Sequence, residues 1–230
     1  MVTDARVERG MAAQLELRLR RLSAGESHLG WKMGFGTAAA RERLQTDAPL
    51  VGFLTRQVAV ESGSEVSVQG WGNPVLEPEI AIHIGRDLPA NPDRTAAADA
   101  IAALGPAIEL ADLDAPNADV EEILSGNIFN RHVLLGEPDT ARQGGNATGI
   151  SARASKNGEQ VAATDQPEAL TGDLVGIVQH LATLLAANGE ALRAGDVVIA
   201  GSVVPGIQVA SGDRVTVEIE PLGSLEVALT

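Results

Sequence analysis

Apolar residues near the start of the chain recur with the spacing of one helix face. Val7, Met11, Leu15 and Leu19 follow one another at intervals of four residues among charged side chains. This spacing predicts an amphipathic helix from about Asp4 to Leu22. The first 28 residues are therefore predicted to form a helical N-terminal segment.

Beyond residue 28 the pattern changes to short apolar or alternating runs bounded by turn residues, which is typical of strands. Strands are predicted at His28–Phe35, Leu50–Leu54, Val58–Val60, Glu65–Val68, Val75–Ile84, Ala107–Leu113, Ile128–Leu135, Val197–Ala200, Ile207–Val209, Arg214–Ile219 and Ser224–Ala228. Helices are predicted at Thr37–Leu44, with Thr37 as N-cap, at Ala96–Leu104, and from Pro167 or Leu170 to Ala187. Strands outnumber helices and short turns join most of them. The pattern favours an α+β, sheet-rich fold over a doubly wound one.

Composition narrows the classes of function. The 230 residues are 44% hydrophobic, enough for a sizeable core, and no linker-like tract divides them, so one catalytic domain is predicted over residues 1–230. The absence of cysteine excludes disulfides, zinc-thiolate sites and a cysteine nucleophile. A net charge of −14 without a cluster of Lys and Arg argues against nucleic-acid binding. No apolar signal core and no membrane-spanning stretch is recognised, so a cytoplasmic protein without a membrane partner is expected.

The segment Pro74–Gly85, PVLEPEIAIHIG, contains the most informative polar residues. Alternate side chains of a strand share a face, so Glu77, Glu79 and His83 are predicted to point away from an apolar face. Two carboxylates so close repel each other unless a positive charge lies between them. An ordinary solvated strand face is the alternative explanation.

A third carboxylate strengthens the prediction of a metal site. In PAIELADL, Glu109 is predicted to point opposite to Ile108 and Leu110, between two alanines. A carboxylate facing a cavity and a strand side facing water both explain this pattern. Three inward carboxylates would form an oxygen-rich site for Mg²⁺ or Mn²⁺.

Two further segments contain candidate site residues. Lys32 lies in the apolar, glycine-rich run HLGWKMGFG, where a lysine can act as a base or bind a carboxylate, although a snorkelling surface lysine is the alternative. Gly201 and Ser202 follow an apolar strand and precede Pro205-Gly206. This segment is either a site for a substrate carboxylate or a plain turn.

Five ordered segments together resemble the fumarylacetoacetate hydrolase superfamily, and within it the branch of 2-keto-4-pentenoate hydratases and 4-oxalocrotonate decarboxylases. The segments are GWKMGFGT, VLEPEIAIHIGRDL, GPAIELAD, GNIFNRHVLLG and LRAGDVVIAGSVVP. The resemblance runs from about Leu29 to the C-terminus.

The resemblance implies a β-rich mixed roll over residues 29–230 that binds Mg²⁺ or Mn²⁺ through Glu77, Glu79 and Glu109. Lys32 matches the active-site lysine of the family, with His83 as the rival catalytic group on the strand of Glu77 and Glu79. The resemblance also implies a metal that chelates a small 2-oxo acid and stabilises an enolate.

Gly201, Ser202 and Asn127 are the candidate substrate-binding residues implied by the resemblance. The chain departs from the hydratases at Leu50 and Gly126, where they carry acidic residues. A metal-dependent hydro-lyase is therefore the first hypothesis. A 2-oxo-acid decarboxylase or tautomerase is the second, and a non-catalytic partner of such an enzyme the third. The chain is also expected to form a homo-oligomer. Pairing with a related pathway enzyme is a further possibility.

Overall fold

The computed structural model describes residues 4–115 and 117–230, so the first three residues of the predicted N-terminal segment lie outside it. Its α-helices are α1 (Ala5–Ser23), α2 (Ala38–Leu44), α3 (Arg94–Ala100), α4 (Val120–Ser125), α5 (Glu168–Thr171) and α6 (Leu174–Ala187). Its strands are β1 (His28–Gly34), β2 (Leu50–Thr55), β3 (Ala59–Val60), β4 (Glu65–Val66), β5 (Pro74–Ile84), β6 (Ile101–Asp112), β7 (Asn130–Leu135), β8 (Ser151–Lys156), β9 (Glu159–Thr164), β10 (Val197–Ser202), β11 (Ile207–Gln208), β12 (Arg214–Glu220) and β13 (Gly223–Leu229). The predicted strand-rich α+β fold is confirmed.

The larger sheet curls into a roll. Its strand order is β2-β1-β10-β5-β6-β7-β3, and β11 pairs with β5. β2 and β3 lie at opposite ends of this order, yet a single 3₁₀ turn, Arg56–Val58, connects them along the chain. β3 pairs with β7. The sheet must therefore bend round until its two ends meet, which gives it an inner and an outer face.

The inner face of the roll is narrow and is filled by small or branched side chains. The buried cluster on this face consists of Leu29, Leu54, Ala81, Ala107, Val133, Val197 and Ile199. Within the sheet, the backbone of Gly30 in β1 leaves no room for a side chain beside β10, because a Cβ at this position would lie 1.8 Å from the carbonyl oxygen of Val197. Larger side chains would not fit between the strands.

The outer face packs into the main hydrophobic core. Ile80 and Ile82 of β5 and Ile108 of β6 belong to the same buried cluster as residues of α6 and of the second sheet, whose strand order is β4-β13-β12-β8-β9. The predicted alternation along β5 is therefore correct: its apolar side chains face the core and its glutamates face the interior of the roll. Burial of this apolar surface provides the main driving force for the fold.

The long C-terminal helix differs from its prediction. By length and composition alone the segment Glu168–Ala187 could cross a bilayer, with a mean hydropathy of 1.4, but the charged residues Glu168 and Asp173 interrupt its apolar sequence. In the structure it is two helices, because Gly172 takes a φ of +86° and Asp173 begins α6 as its N-cap. Leu174, Leu181 and Leu185 of α6 are buried in the main core.

Three other elements also differ from prediction. α3 ends at Ala100, four residues before the predicted end, because the chain from Ile101 pairs with β5 instead. The β8–β9 hairpin around Asn157-Gly158 and the short helix α4 were not predicted. The predicted N-cap of α2 is confirmed, since the Thr37 hydroxyl accepts a hydrogen bond from the amide of Ala40.

Candidate metal centre

Two adjacent strands bring three carboxylates together inside the roll. Glu77 of β5 lies directly opposite Glu109 of β6, and Glu79 lies two residues further along β5 on the same face. One carboxylate oxygen from each residue lies within 4.8 Å of the others. Glu79 and Glu109 are fully buried, and Glu77 is partly exposed. The three predicted ligands therefore form one cluster.

The cluster is electrostatically unfavourable without a cation. Burial, followed by repulsion from Glu109, raises the pKa of Glu77 to about 7. The same two causes and the charge of Glu77 raise the pKa of Glu79 well above its usual value, while Lys32 opposes both shifts. One lysine does not balance three buried carboxylates, so a divalent cation would stabilise the ionised cluster.

A β-bulge holds Glu79 in position. The pairing of β10 with β5 shifts by one residue between Ile199 and Ser202, and Gly201 takes a φ of +96° at this point. The Gly201 amide consequently donates a hydrogen bond of 2.7 Å to Oε2 of Glu79. Oε1 of Glu79 is buried and has no hydrogen-bond partner among the described residues. The bulge therefore fixes one carboxylate oxygen and leaves the other for a ligand.

Glu109 shows the same division between its two oxygens. Its Oε1 accepts hydrogen bonds from Lys32 Nζ at 2.5 Å and from Asn130 Nδ2 at 2.7 Å. Its Oε2 is buried, and within residues 4–115 and 117–230 no group donates a hydrogen bond to it. Buried carboxylate oxygens normally find a donor, and an oxygen-only set of three ligands suits a hard cation. These residues therefore fit a hard divalent cation.

Lys32 is a buried residue of this cluster rather than a surface lysine. Only 2% of its surface is exposed. Its neighbour across the sheet is Gly52, where a Cβ would approach the Lys32 side chain to 2.9 Å. The lysine thus occupies space that the missing side chain leaves open. Its ammonium donates to Glu109 and, at 3.0 Å, to the carbonyl of Ile128.

The Ile128 carbonyl reaches Lys32 because of an unusual turn. Asn127, Ile128 and Phe129 all have a positive φ, at 58°, 51° and 61°. Left-handed backbone is costly for residues other than glycine, so strong contacts must hold the turn. The Asn127 side chain supplies two of them, because it accepts from the amide of Phe53 and donates to its carbonyl. Both polar atoms of Asn127 therefore pair with β2.

A cavity of about 220 Å³ opens on the cluster. Lys32, Glu77, Gly201 and Ser202 are among the residues that line it. The Ser202 hydroxyl donates to the carbonyl of Val204 at 2.6 Å, which leaves its oxygen lone pairs as acceptors. The volume is below the range of roughly 300–1,000 Å³ typical of pockets for drug-sized ligands, so the cavity suits a small molecule.

The remaining sequence candidates lie outside this cavity. His83 is four residues from Glu79 on the same strand face, a separation of about 13 Å along the strand. Burial lowers the pKa of its imidazole, and its Nε2 has no hydrogen-bond partner in the part of the chain that the structure describes. Leu50 packs in an apolar cluster with residues of α1 and α4, and Gly126 is the C-cap of α4. The structure thus places neither His83 nor Asn127 on the cavity wall.

Asn130 is the site residue that sequence analysis missed. It begins β7, is 8% exposed and donates to Glu109, while its own Oδ1 is buried and accepts no hydrogen bond from the residues that the structure describes. Its position in the sequence is that of a residue in an ordinary strand. A polar amide at the start of a buried strand was the available signal.

Comparison with known proteins places the chain in a family. Residues 24–230 match the family described as fumarylacetoacetate (FAA) hydrolase C-terminal. A 2-hydroxyhexa-2,4-dienoate hydratase from Comamonas testosteroni is 30% identical over 222 residues, which cover 93% of this chain and 82% of the hydratase. A 4-oxalocrotonate decarboxylase from Pseudomonas sp is 28% identical over 229 residues, which cover 95% of this chain and 86% of the decarboxylase.

Solved structures give the same result. The 4-oxalocrotonate decarboxylase from Pseudomonas putida G7, complexed with magnesium and adipate, superposes with a TM-score of 0.86 at 26% identity, covering 94% of this chain and 83% of that one. The fumarylpyruvate hydrolase from Pseudomonas aeruginosa, in complex with Mn²⁺ and pyruvate, shares the fold with a TM-score of 0.72 at 22% identity, covering 89% of this chain and 90% of that one. The expected resemblance is confirmed, and the chain belongs to the fumarylacetoacetate hydrolase family.

Proposed function

We propose that this chain is a divalent-metal-dependent lyase of the hydratase type, which acts on a small 2-hydroxydienoate or 2-oxo acid with Mg²⁺ or Mn²⁺ as cofactor. The observation that carries the proposal is the pair of buried, partnerless oxygens on Glu79 and Glu109 beside a small cavity. Relatives named as hydratases support the reaction class. Solved relatives complexed with magnesium, calcium or Mn²⁺ support a divalent cation.

Each residue of the centre has a role in this proposal. Glu77, Glu79 and Glu109 would hold the cation, which when bound supplies a Lewis acid for the 2-oxo group of a substrate. Gly201 acts through its hydrogen bond to Glu79, and Asn130 acts through Glu109.

Lys32 is proposed as the group that moves a proton. An ammonium has three donors, and the contacts to Glu109 and Ile128 use two of them. The third is available to a substrate, since Lys32 lines the cavity. Ser202 would contact the substrate carboxylate or a water bound to it. Asn127 would contribute indirectly, because it holds the turn whose carbonyl orients Lys32.

A decarboxylase or tautomerase acting through the same metal-enolate chemistry is the second candidate. Two observations favour it: decarboxylases are as similar to this chain as hydratases are, and Leu50 and Gly126 provide no acid to activate water. A non-catalytic partner of such an enzyme is disfavoured, because a binding protein gains nothing from a cluster of mutually repelling carboxylates. We further propose a cytoplasmic homo-oligomer with one catalytic domain, which pairs with a related pathway enzyme.

Incubation of the purified protein with 2-hydroxypentadienoate and with 4-oxalocrotonate tests the proposal. A hydratase should consume the dienoate, seen as loss of ultraviolet absorbance, without releasing CO₂, whereas a decarboxylase should release CO₂ from the second compound. Either activity should disappear with EDTA and return with Mg²⁺ or Mn²⁺. Full activity in metal-free protein would contradict the assignment.

A further inference from the structure

The cavity beside the metal centre has charged side chains at one end only. Among the residues that line it, Lys32 and Glu77 are the two charged ones, and both belong to the carboxylate cluster. The rest of the wall is mainly apolar. Its larger apolar side chains are Met33, Phe35, Leu113, Ile128, Phe129, Leu170 and Ile177.

The three hydroxyl groups on the wall are already engaged. The Thr37 hydroxyl accepts the amide of Ala40 at the start of α2. The Thr171 hydroxyl donates within its own turn, to the carbonyl oxygens of residues 167 and 172. Ser202, next to the metal cluster, donates to the Val204 carbonyl. Thr37 keeps an O–H donor, but among the described residues that line the cavity, none outside the metal cluster carries a positive charge.

From this asymmetry we infer that the substrate carries a single carboxylate, bound at the metal end, and a short uncharged apolar tail that fills the far end. This inference rests on the proposed function and names its substrate class. A second carboxylate at the end of the tail would be buried against a mainly apolar wall without a cation to pair with it, which is unfavourable. The acidic charge of the chain, −14, adds to the penalty for a second negative charge.

Two 2-oxo acids of equal length can test whether the cavity prefers a substrate with one carboxylate or with two. 2-Oxohexanoate and 2-oxoadipate share six carbons and the metal-chelating end, and they differ only in a terminal methyl or carboxylate. Titration calorimetry on the Mg²⁺-loaded protein should give a dissociation constant for 2-oxoadipate that is higher by a factor on the order of 10² or more. Equal or tighter binding of 2-oxoadipate would overturn the inference. Failure of both acids to bind would instead count against the proposed function.

A charge added to the apolar wall of the cavity provides the second test. Leu170 lies on α5, is partly exposed and lines the cavity, so Leu170→Arg would add a guanidinium there at little cost to packing. We expect this variant to bind 2-oxoadipate at least 10-fold more tightly than the wild type does. Leu19→Arg on α1, at a position that is 57% exposed, adds the same charge elsewhere and should leave the preference unchanged.

Arg43 is the residue to test if the wild type binds 2-oxoadipate tightly. Its guanidinium lies 5.6 Å from the ring centre of Phe35, which lines the cavity. If the wild type bound 2-oxoadipate well and Arg43→Ala abolished this, Arg43 would be the acceptor of a second carboxylate and the inference would be wrong. If Leu170→Arg gained no affinity for 2-oxoadipate while the protein stayed folded, the preference would not arise from a missing cation, and the inference would likewise fail.

Discussion

Replacing Glu79 with glutamine separates a metal ligand from a structural residue. Glutamine keeps the shape of the side chain and can still accept the Gly201 amide through its oxygen. It removes one negative charge from a cluster in which all three carboxylates have oxygens within 4.8 Å of one another. Its NH₂ group can also donate to the neighbouring carboxylates. The metal-free protein should therefore become more stable, and the protein should lose metal affinity and activity.

The expected gain in stability follows from the perturbed pKa. Burial and the two neighbouring carboxylates raise the pKa of Glu79 well above its usual value, and each unit corresponds to about 1.4 kcal/mol of differential stability. Removing the charge should increase the free energy of unfolding of the metal-free protein by about 1–3 kcal/mol at neutral pH. For a chain of this size, this corresponds to a rise in Tm of roughly 2–10 °C.

Bound metal should stabilise the wild type much more than it stabilises Glu79→Gln. At a metal concentration 100 times the Kd, the wild type should gain about 2.7 kcal/mol, or roughly 5–10 °C in Tm. The glutamine variant retains two charged ligands of the three, so its affinity for a hard cation falls and its Tm should respond much less. Glu79→Gln should therefore have the higher Tm in EDTA, and this difference in Tm should shrink or change sign when Mg²⁺ is added.

Thermal unfolding in EDTA and in a Mg²⁺ series measures both effects, and activity is assayed in parallel. Glu159→Gln is the matched control, because it makes the same change at an exposed position on β9. It should shift neither Tm nor its response to metal by more than about 0.5 kcal/mol. A Glu79→Gln protein that melts lower than the wild type in EDTA, yet turns over normally, would refute the assignment of Glu79 as a ligand.

Two further predictions concern other residues of the site. Lys32→Ala should lower kcat by a factor on the order of 10² or more, with a milder effect for His83→Ala; an inactive His83→Ala beside an active Lys32→Ala would reverse the assignment. The pKa of Glu77, raised from 4.5 to about 7, gives the metal-free protein stability that is present below pH 4.5 and lost as the pH rises through 7. Between pH 5 and pH 8, chemical denaturation should therefore show a loss of stability in the wild type that is larger by about 2–3 kcal/mol than the loss in Glu77→Gln, which keeps Glu79. An unchanged pH dependence in this variant would contradict the raised pKa.

Local patterns predicted the parts of the fold that depend on local physics. Alternation along β5 predicted which side chains face the roll, and Thr37 was recognised as a cap because capping involves only neighbouring residues. The end of α3 was misplaced because Ile101 begins a strand that pairs with β5, a distant contact that overrides the helical preference of the alanines.

Two missed elements did carry readable signals. Asn157-Gly158 is a hairpin sequence, and both residues have positive φ in the turn between β8 and β9. Asp119 and Glu122 form the capping box of α4.

The sequence pointed to the three glutamates of the cluster but not to the contacts that hold them in position. Strand alternation marked Glu77, Glu79 and Glu109 as candidates, with a solvated strand face as the alternative, and the family resemblance favoured a metal site. The hydrogen bond from Gly201 to Glu79 depends on a bulge, which shifts register by one residue and leaves no clear trace in sequence. The distance of His83 from the three glutamates was also not foreseen. Residues on one strand face point the same way, but four residues along a strand separate His83 from Glu79 by about 13 Å.

The connection of β2 to β3 through one turn has a consequence for folding kinetics. The roll closes through contacts between distant parts of the chain: Lys32 and Glu109 are 77 residues apart, and Glu79 and Gly201 are 122 apart. Such contacts form late, because the entropy of ordering the intervening chain opposes them. A cation that needs all three carboxylates in place has little to bind before closure. Bound metal should therefore mainly lower the unfolding rate and leave the refolding rate nearly unchanged.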